Sequence, residues 1–258
     1  MDIFVFVKRV AATQEEELRI IDDGKNIDLS KIPFKMNDWD NYAVEEAVKI
    51  VEGRGGSVTA VSIGNTESDE VLRRAIAMGS KDGILIETKD TLHDPAIRAL
   101  AIYNFIKKEN VHFDAIFTGV QSEDDQFAAT GGFLAGKMGL PYASMVIGID
   151  AIENGYFIVR RELEGGLQER IKIKTPCVIS IQSGINEPRY VSIMGIRKAS
   201  KVERKTLKFN DYAQSGDAVI DLVRWSYPEK KGGAKMLTGE VDAVCKELLE
   251  ILKNKGVC

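Results

Sequence analysis

The chain's most informative stretch for chemistry is Gly119 to Gly132, Gly-Val-Gln-Ser-Glu-Asp-Asp-Gln-Phe-Ala-Ala-Thr-Gly-Gly. Glycines stand where backbone must come close to a ligand, the middle is polar, and Thr130, Gly131 and Gly132 open a helical pattern. The free N–H groups of a helix start form a ready anion site. A capped strand-to-helix turn explains the same residues equally well. Asp124 and Asp125 would repel a phosphate unless they point away or cap the helix. The stretch lacks the Gly-Lys-Ser or Gly-Lys-Thr end of a P-loop and the Gly-x-Gly-x-x-Gly of a dinucleotide loop. Catalytic material is otherwise scarce. There is no Gly-x-Ser-x-Gly, His-Glu-x-x-His or Cys-x-x-Cys, and His93 and His112 are the only histidines. Cys177, Cys245 and Cys258 are too scattered for a metal site or a disulfide framework. The inventory suits a carrier or binding subunit better than a self-sufficient enzyme.

Residues of this kind need strand ends to hold them. The first 150 residues alternate apolar, β-rich runs with helical stripes. The expected strands are 2–8, 57–63, 83–87, 114–118 and 142–149. Between them, Ala43, Val44, Ala47, Val48 and Val51 form one helical stripe, and Val71, Leu72, Ala75 and Ile76 another. Gly79 sits at a helix stop, and Asp94-Pro95 at a helix start. Continuous apolar strands with helical crossovers predict a three-layer, doubly wound, mostly parallel α/β sheet. Ligands on such sheets bind beyond the carboxyl ends of the strands. There Phe6, Lys8 and Arg9, the turn Ile63-Gly64-Asn65, and the Gly119–Gly132 loop are expected to converge. Residues 156–161, 170–174 and 178–182 read as antiparallel additions, with Glu164-Gly165-Gly166 as a turn. After Pro188 the chain is expected to be irregular up to about Gly239, as an arm lying on a partner. A terminal amphipathic helix then carries Val241, Val244, Leu248, Leu249 and Leu252.

The 258 residues are 44% hydrophobic and 29% charged, with a net charge of −4. That balance offers no global attraction for nucleic acid or an anionic membrane. The apolar start, Ile3 to Val7, is too short for a signal peptide, and no run of eighteen apolar residues occurs. A soluble, cytoplasmic protein without membrane insertion is expected.

Several motifs, in order, resemble those of the electron transfer flavoprotein β subunits. They are Val7-Lys8-Arg9, Met36-Asn37-Asp38-Trp39-Asp40 before Ala43-Val44-Glu45-Glu46-Ala47, and Val61-Ser62-Ile63-Gly64. Next come Leu72-Arg73-Arg74-Ala75-Ile76-Ala77-Met78-Gly79, the Gly119–Gly132 loop and Arg161-Glu162-Leu163-Glu164-Gly165-Gly166. Ile185-Asn186-Glu187-Pro188-Arg189-Tyr190 and Gly195-Ile196-Arg197-Lys198-Ala199 complete the set, which spans nearly the whole chain.

The resemblance implies an adenine-nucleotide-binding, Rossmann-like fold with an extended C-terminal arm ending in a helix. It divides the chain into a nucleotide-binding domain, residues 1–189, and a recognition loop, arm and helix on a larger α subunit, residues 190–258. The α subunit would hold most of a redox-active FAD, and this chain would bury an AMP without redox function. The AMP residues would be Phe6, Asn37, Asp38, Trp39, Asp40 and Ile63, with Gln121, Ser122, Glu123, Asp124, Asp125, Gln126, Phe127, Ala128, Ala129, Thr130, Gly131 and Gly132 from the loop. Trp39 matches an aromatic near the flavin, or serves as a hydrophobic staple for the helix that follows. Glu162 matches a carboxylate facing the mobile flavin domain. Tyr190, Val191, Ser192, Ile193, Met194, Gly195, Ile196, Arg197 and Lys198 match the loop that anchors partner dehydrogenases, with Ile193 as the anchor.

The implied role is a heterodimeric carrier, without catalytic residues in this chain. It takes electrons from flavin dehydrogenases, of the acyl-CoA type or related, and passes them to a membrane quinone oxidoreductase or another acceptor. The loop departs from the Gly-Lys-Gln-Ala-Ile-Asp of many members, and Asn37 is followed by Asp38 rather than proline. Both features are similar to the branch serving bacterial dehydrogenases such as trimethylamine dehydrogenase. Bifurcating members hold a second FAD in place of AMP, oxidise NADH, and usually show a Gln-Val-Gly-Pro-like run where Ala129-Thr130-Gly131-Gly132 stands here. The expectation is therefore AMP. A stand-alone nucleotide-binding enzyme or a nucleotide sensor are the alternatives from other classes.

Overall fold

A computed structural model describes residues 1–14, 16–229 and 232–257, so Cys258 lies outside the described residues. In chain order the elements are β1 (Asp2–Phe6), β2 (Arg9–Ala11), β3 (Arg19–Ile21), β4 (Asn26–Asp28), β5 (Phe34–Met36), α1 (Asp38–Arg54) and β6 (Ser57–Gly64). Next come α2 (Asp69–Met78), β7 (Asp82–Glu87), α3 (Pro95–Lys108), β8 (Ala115–Gly119) and α4 (Thr130–Met138). They are followed by β9 (Tyr142–Glu153), β10 (Tyr156–Glu162), β11 (Gln168–Lys174), β12 (Cys177–Ile181), α5 (Ile193–Ala199), β13 (Lys205–Lys208) and α6 (Val241–Asn254).

One nine-stranded sheet runs in the order β11-β10-β9-β12-β8-β1-β6-β7-β13. All pairs from β9 to β13 along that order are parallel, and β10 and β11 extend the β9 edge antiparallel. The alternation of β1 shows why helices cover both faces. Ile3, Val5 and Val7 pack with Ala43, Val44 and Leu72 beneath α1 and α2. Phe4 and Phe6 pack with Ile97, Ile102, Phe105 and Leu134 beneath α3 and α4. A strand apolar on both sides belongs in the middle of a parallel sheet.

The helix signals read from the sequence appear in the geometry. Asp94 Oδ1 accepts the Ala96 N–H at 2.7 Å, with Pro95 at the first helical position. Gly79 closes α2 at φ +126°, a conformation glycine adopts without strain. Gly165 and Gly166, both at positive φ, make the expected turn.

The run at 178–182 differs from expectation. As β12 it lies parallel between β8 and β9 rather than adding antiparallel. All five residues of β12 are buried, so its pattern is that of a central strand, and closeness in sequence to β11 misleads. The stretch after Pro188 is also more ordered than an irregular arm. It forms α5, adds β13 parallel to β7, and buries Phe209, Tyr212 and Ala213.

Two compact units divide at residues 224 and 225, so position 190 falls inside the first. The second unit contains α6, on which Val241, Leu248 and Leu249 are exposed, and Lys235 pairs with Glu247 at 2.6 Å. Among the described residues, no helix is long and apolar enough to cross a membrane.

Candidate functional site

A cleft of about 670 Å3 opens at the carboxyl ends of β1, β6 and β8. Its lining includes apolar residues, Phe6, Val61, Ile63 and Ile102, and polar ones, Lys8, Asn37, Asp40, Arg98, Thr118, Gln121, Ser122, Asp125 and Thr130.

The start of α1 locks two strand ends together. Asp40 is buried; its Oδ2 accepts the Lys8 N–H at 2.7 Å and its Oδ1 the Gly119 N–H at 3.1 Å. Burial pushes the Asp40 carboxyl up to about 7, outweighing the two N–H donors that favour its charged form. Gly119 has no room for a side chain. A Cβ there would lie 2.4 Å from Asp40 Oδ1 and 2.7 Å from Trp39 Cβ. Asn37 grips the loop: its Nδ2 donates to Gln121 O at 2.9 Å and its Oδ1 accepts the Glu123 N–H at 3.1 Å.

Two cations answer the loop carboxylates. Lys8 Nζ lies 2.6 Å from Asp124 Oδ1, 2.9 Å from Asp125 Oδ2 and 3.1 Å from Ser122 Oγ. Arg98 on α3 donates to Asp125 Oδ2 at 2.7 Å. Burial alone would raise the Asp125 carboxyl, but Lys8 and Arg98 overcome it and hold the group well below the carboxylate range. Repulsion between these carboxylates and an incoming phosphate, a concern at the sequence level, is thus met by neutralisation. Gln126 and Ala128 both sit at φ +52°, strained for non-glycine residues, where the loop turns into α4.

The α4 N-terminus faces the cleft through Thr130 and Gly131. Ala129 precedes the helix and no side chain caps it, which leaves its first N–H groups available to an anion. Beneath it, Ser180 Oγ bonds Thr118 Oγ1 at 2.8 Å and Tyr142 OH at 2.9 Å. A Cβ on Gly131 would come within 2.6 Å of Ser180 Oγ, so glycine alone lets α4 sit this low.

Of the expected nucleotide residues, Phe6, Asn37, Asp40, Ile63, Gln121, Ser122, Asp125, Phe127, Ala128, Ala129, Thr130 and Gly131 line the cleft. Asp38, Trp39, Glu123, Asp124, Gln126 and Gly132 are outside its lining. Asp38 and Glu123 instead share Lys35, at 2.9 and 3.0 Å. Trp39 Nε1 donates to Gln182 Oε1 at 2.8 Å, and Gln182 Nε2 donates to Glu162 Oε2 at 3.2 Å. One glutamine thereby joins two residues singled out separately. Lys8, Gly119 and Val120 line it too, as the expected convergence of strand ends implies, while Val7, Val61, Arg98, Ile102 and Thr118 are lining residues that sequence reasoning does not bring to the site. Arg98 carries a signal, because a cation near a helix start opposes the helix dipole and needs another reason to be there.

Residues Tyr190 to Lys198 lie apart from the cleft lining. Ser192 caps α5 by accepting the Gly195 N–H at 3.1 Å. Tyr190, Ile193 and Met194 are 90%, 72% and 69% exposed, while Val191 packs on the core. Arg189 anchors the segment to α1 through Glu45 at 2.9 Å and Glu52 at 2.8 Å.

Comparison with known proteins agrees with this architecture. A family model described as the electron transfer flavoprotein domain matches residues 26–212. The electron transfer flavoprotein subunit beta of Methylophilus methylotrophus is 33% identical over 263 residues, covering 98% of each chain. Those of Bacillus subtilis and Bradyrhizobium diazoefficiens are 31% and 33% identical, each with 99% of both chains covered. With its fold and full-length similarity in agreement, this chain belongs to the electron transfer flavoprotein family, as a β subunit.

Proposed function

We propose that this chain pairs with an electron transfer flavoprotein α subunit to form an electron carrier, and that its cleft holds a structural AMP. The carrying observation is the cleft itself. It combines apolar lining residues able to take a purine with an uncapped helix start able to take a phosphate. Phe6, Ile63 and Ile102 would flank the base, and Thr130, Gly131 and the α4 amides would receive the phosphate. Asn37 and Asp40 fix the loop and strand ends around both. The FAD, held mainly by the α subunit, supplies reversible electron storage. This chain supplies a rigid base and a docking segment. Electrons would arrive from flavin dehydrogenases and leave to a membrane quinone oxidoreductase or another acceptor.

The docking segment supports the carrier role. Ile193 and Met194 project from a capped, clamped helix, and basic Arg197 and Lys198 follow. Exposed apolar anchors beside charge suit a transient interface. Ile193→Ala should slow electron transfer from the partner dehydrogenase about tenfold, the loss of one good anchor. FAD content should stay unchanged. Stopped-flow reduction of the reconstituted heterodimer measures this, and equal rates for the two proteins would remove Ile193 from the interface.

A further inference from the structure

The cations of the cleft are already paired with carboxylates. A lysine ammonium has three N–H donors, and Lys8 has three acceptors in place: Ser122 Oγ, Asp124 Oδ1 and Asp125 Oδ2. Arg98 is tied to the same Asp125 oxygen and to the Leu92 carbonyl. Among the described residues, Lys8 and Arg98 are the two lysine or arginine side chains lining the cleft, and the two loop carboxylates match them charge for charge. What remains for an anion is the start of α4, whose dipole amounts to roughly half a positive charge. One phosphate can be satisfied there by backbone N–H groups. A second or third would find no unpaired lysine or arginine charge among the described lining residues.

We propose that Asp125, by binding Lys8 and Arg98 together, makes the cleft selective for a nucleoside monophosphate over di- and triphosphates. The inference rests on the cleft being the nucleotide site. It also disfavours a ligand that brings a pyrophosphate, such as FAD, at this position. Asp125→Asn is the informative change. Its remaining oxygen can still accept from Ser122 and Phe127, as Asp125 Oδ1 does at 2.8 and 3.2 Å. Its amide nitrogen cannot hold the cations, and so releases them toward the ligand.

The test is calorimetric titration of the nucleotide-stripped heterodimer with AMP, ADP and ATP in the absence of divalent metal. Native protein should bind AMP at least about tenfold more tightly than ADP or ATP, and in Asp125→Asn the gap should close to about threefold or less. Looser binding of all three with an unchanged ratio would make Asp125 a merely structural brace and overturn the proposal. Equal affinities in the native protein would do the same. Absence of binding by any of the three would overturn the cleft reading and this inference with it. Melting curves first establish that the variant folds. Should it not, Arg98→Gln decides, because it removes one of the two cations that Asp125 holds and leaves the carboxylate in place. With one cation fewer beside the carboxylates, ADP and ATP should fall further behind AMP, and an unmoved ratio there overturns the proposal.

Discussion

Gly131→Val should strip the nucleotide from the purified heterodimer, with affinity for AMP falling by more than about tenfold, and should lower stability by about 2–3 kcal/mol. The added Cβ would meet Ser180 Oγ at 2.6 Å, Thr118 Oγ1 at 3.1 Å and Tyr142 Cε2 at 3.3 Å. Ser180 cannot turn aside without breaking its bonds to Thr118 and Tyr142. The first turn of α4 must therefore rise, carrying with it the amides assigned to the phosphate. A control exists in the same helix. Gly136 has nothing within 4 Å of where a Cβ would stand, so Gly136→Ala should stabilise by up to about 1 kcal/mol through helix propensity. Thermal melts with AMP titration measure both. Full retention of AMP by Gly131→Val would mean that the phosphate is not at α4.

Asp40→Asn should cost about 1–3 kcal/mol, because an amide NH2 would replace one of the two oxygens that accept from Lys8 N and Gly119 N. The pH dependence gives the sharper test. With its folded-state value raised from 3.8 to about 7, native Asp40 binds a proton more tightly folded than unfolded. Stability from this group is therefore fully present below about pH 4 and falls as pH rises to about 7. The variant cannot titrate there, so the native protein's advantage over it should shrink across that window. Denaturant unfolding at intervals from pH 4 to 8 measures the gap. A gap that widened with rising pH would show that the two N–H donors, rather than burial, control Asp40.

The layout of the fold is legible in the sequence because period and punctuation agree. Two-sided apolar strands such as β1 and stops such as Gly79 leave few alternatives to a doubly wound sheet. The direction of β12 is not legible, because a five-residue apolar run does not itself say which neighbours it joins. The β3–β4 pair is hidden because Arg19–Ile21 and Asn26–Asp28 are too short and mixed to show a period. At the site, the loop is legible from its glycines and its position after β8. Its charge balance is not. Lys8 lies more than a hundred residues from Asp125 and Arg98 comes from another helix, so neutralisation appears only when the chain is folded. The same holds for Gln182, which links Trp39 to Glu162 across three separate elements.

The central claim is that this β subunit carries a structural AMP while its partner carries the electron-transferring FAD. The most direct test is to co-express the chain with its α subunit, denature the purified heterodimer, and quantify the released nucleotides by chromatography. One FAD and one AMP per heterodimer is the predicted result. Two FAD and no AMP would contradict it and make the cleft a second flavin site.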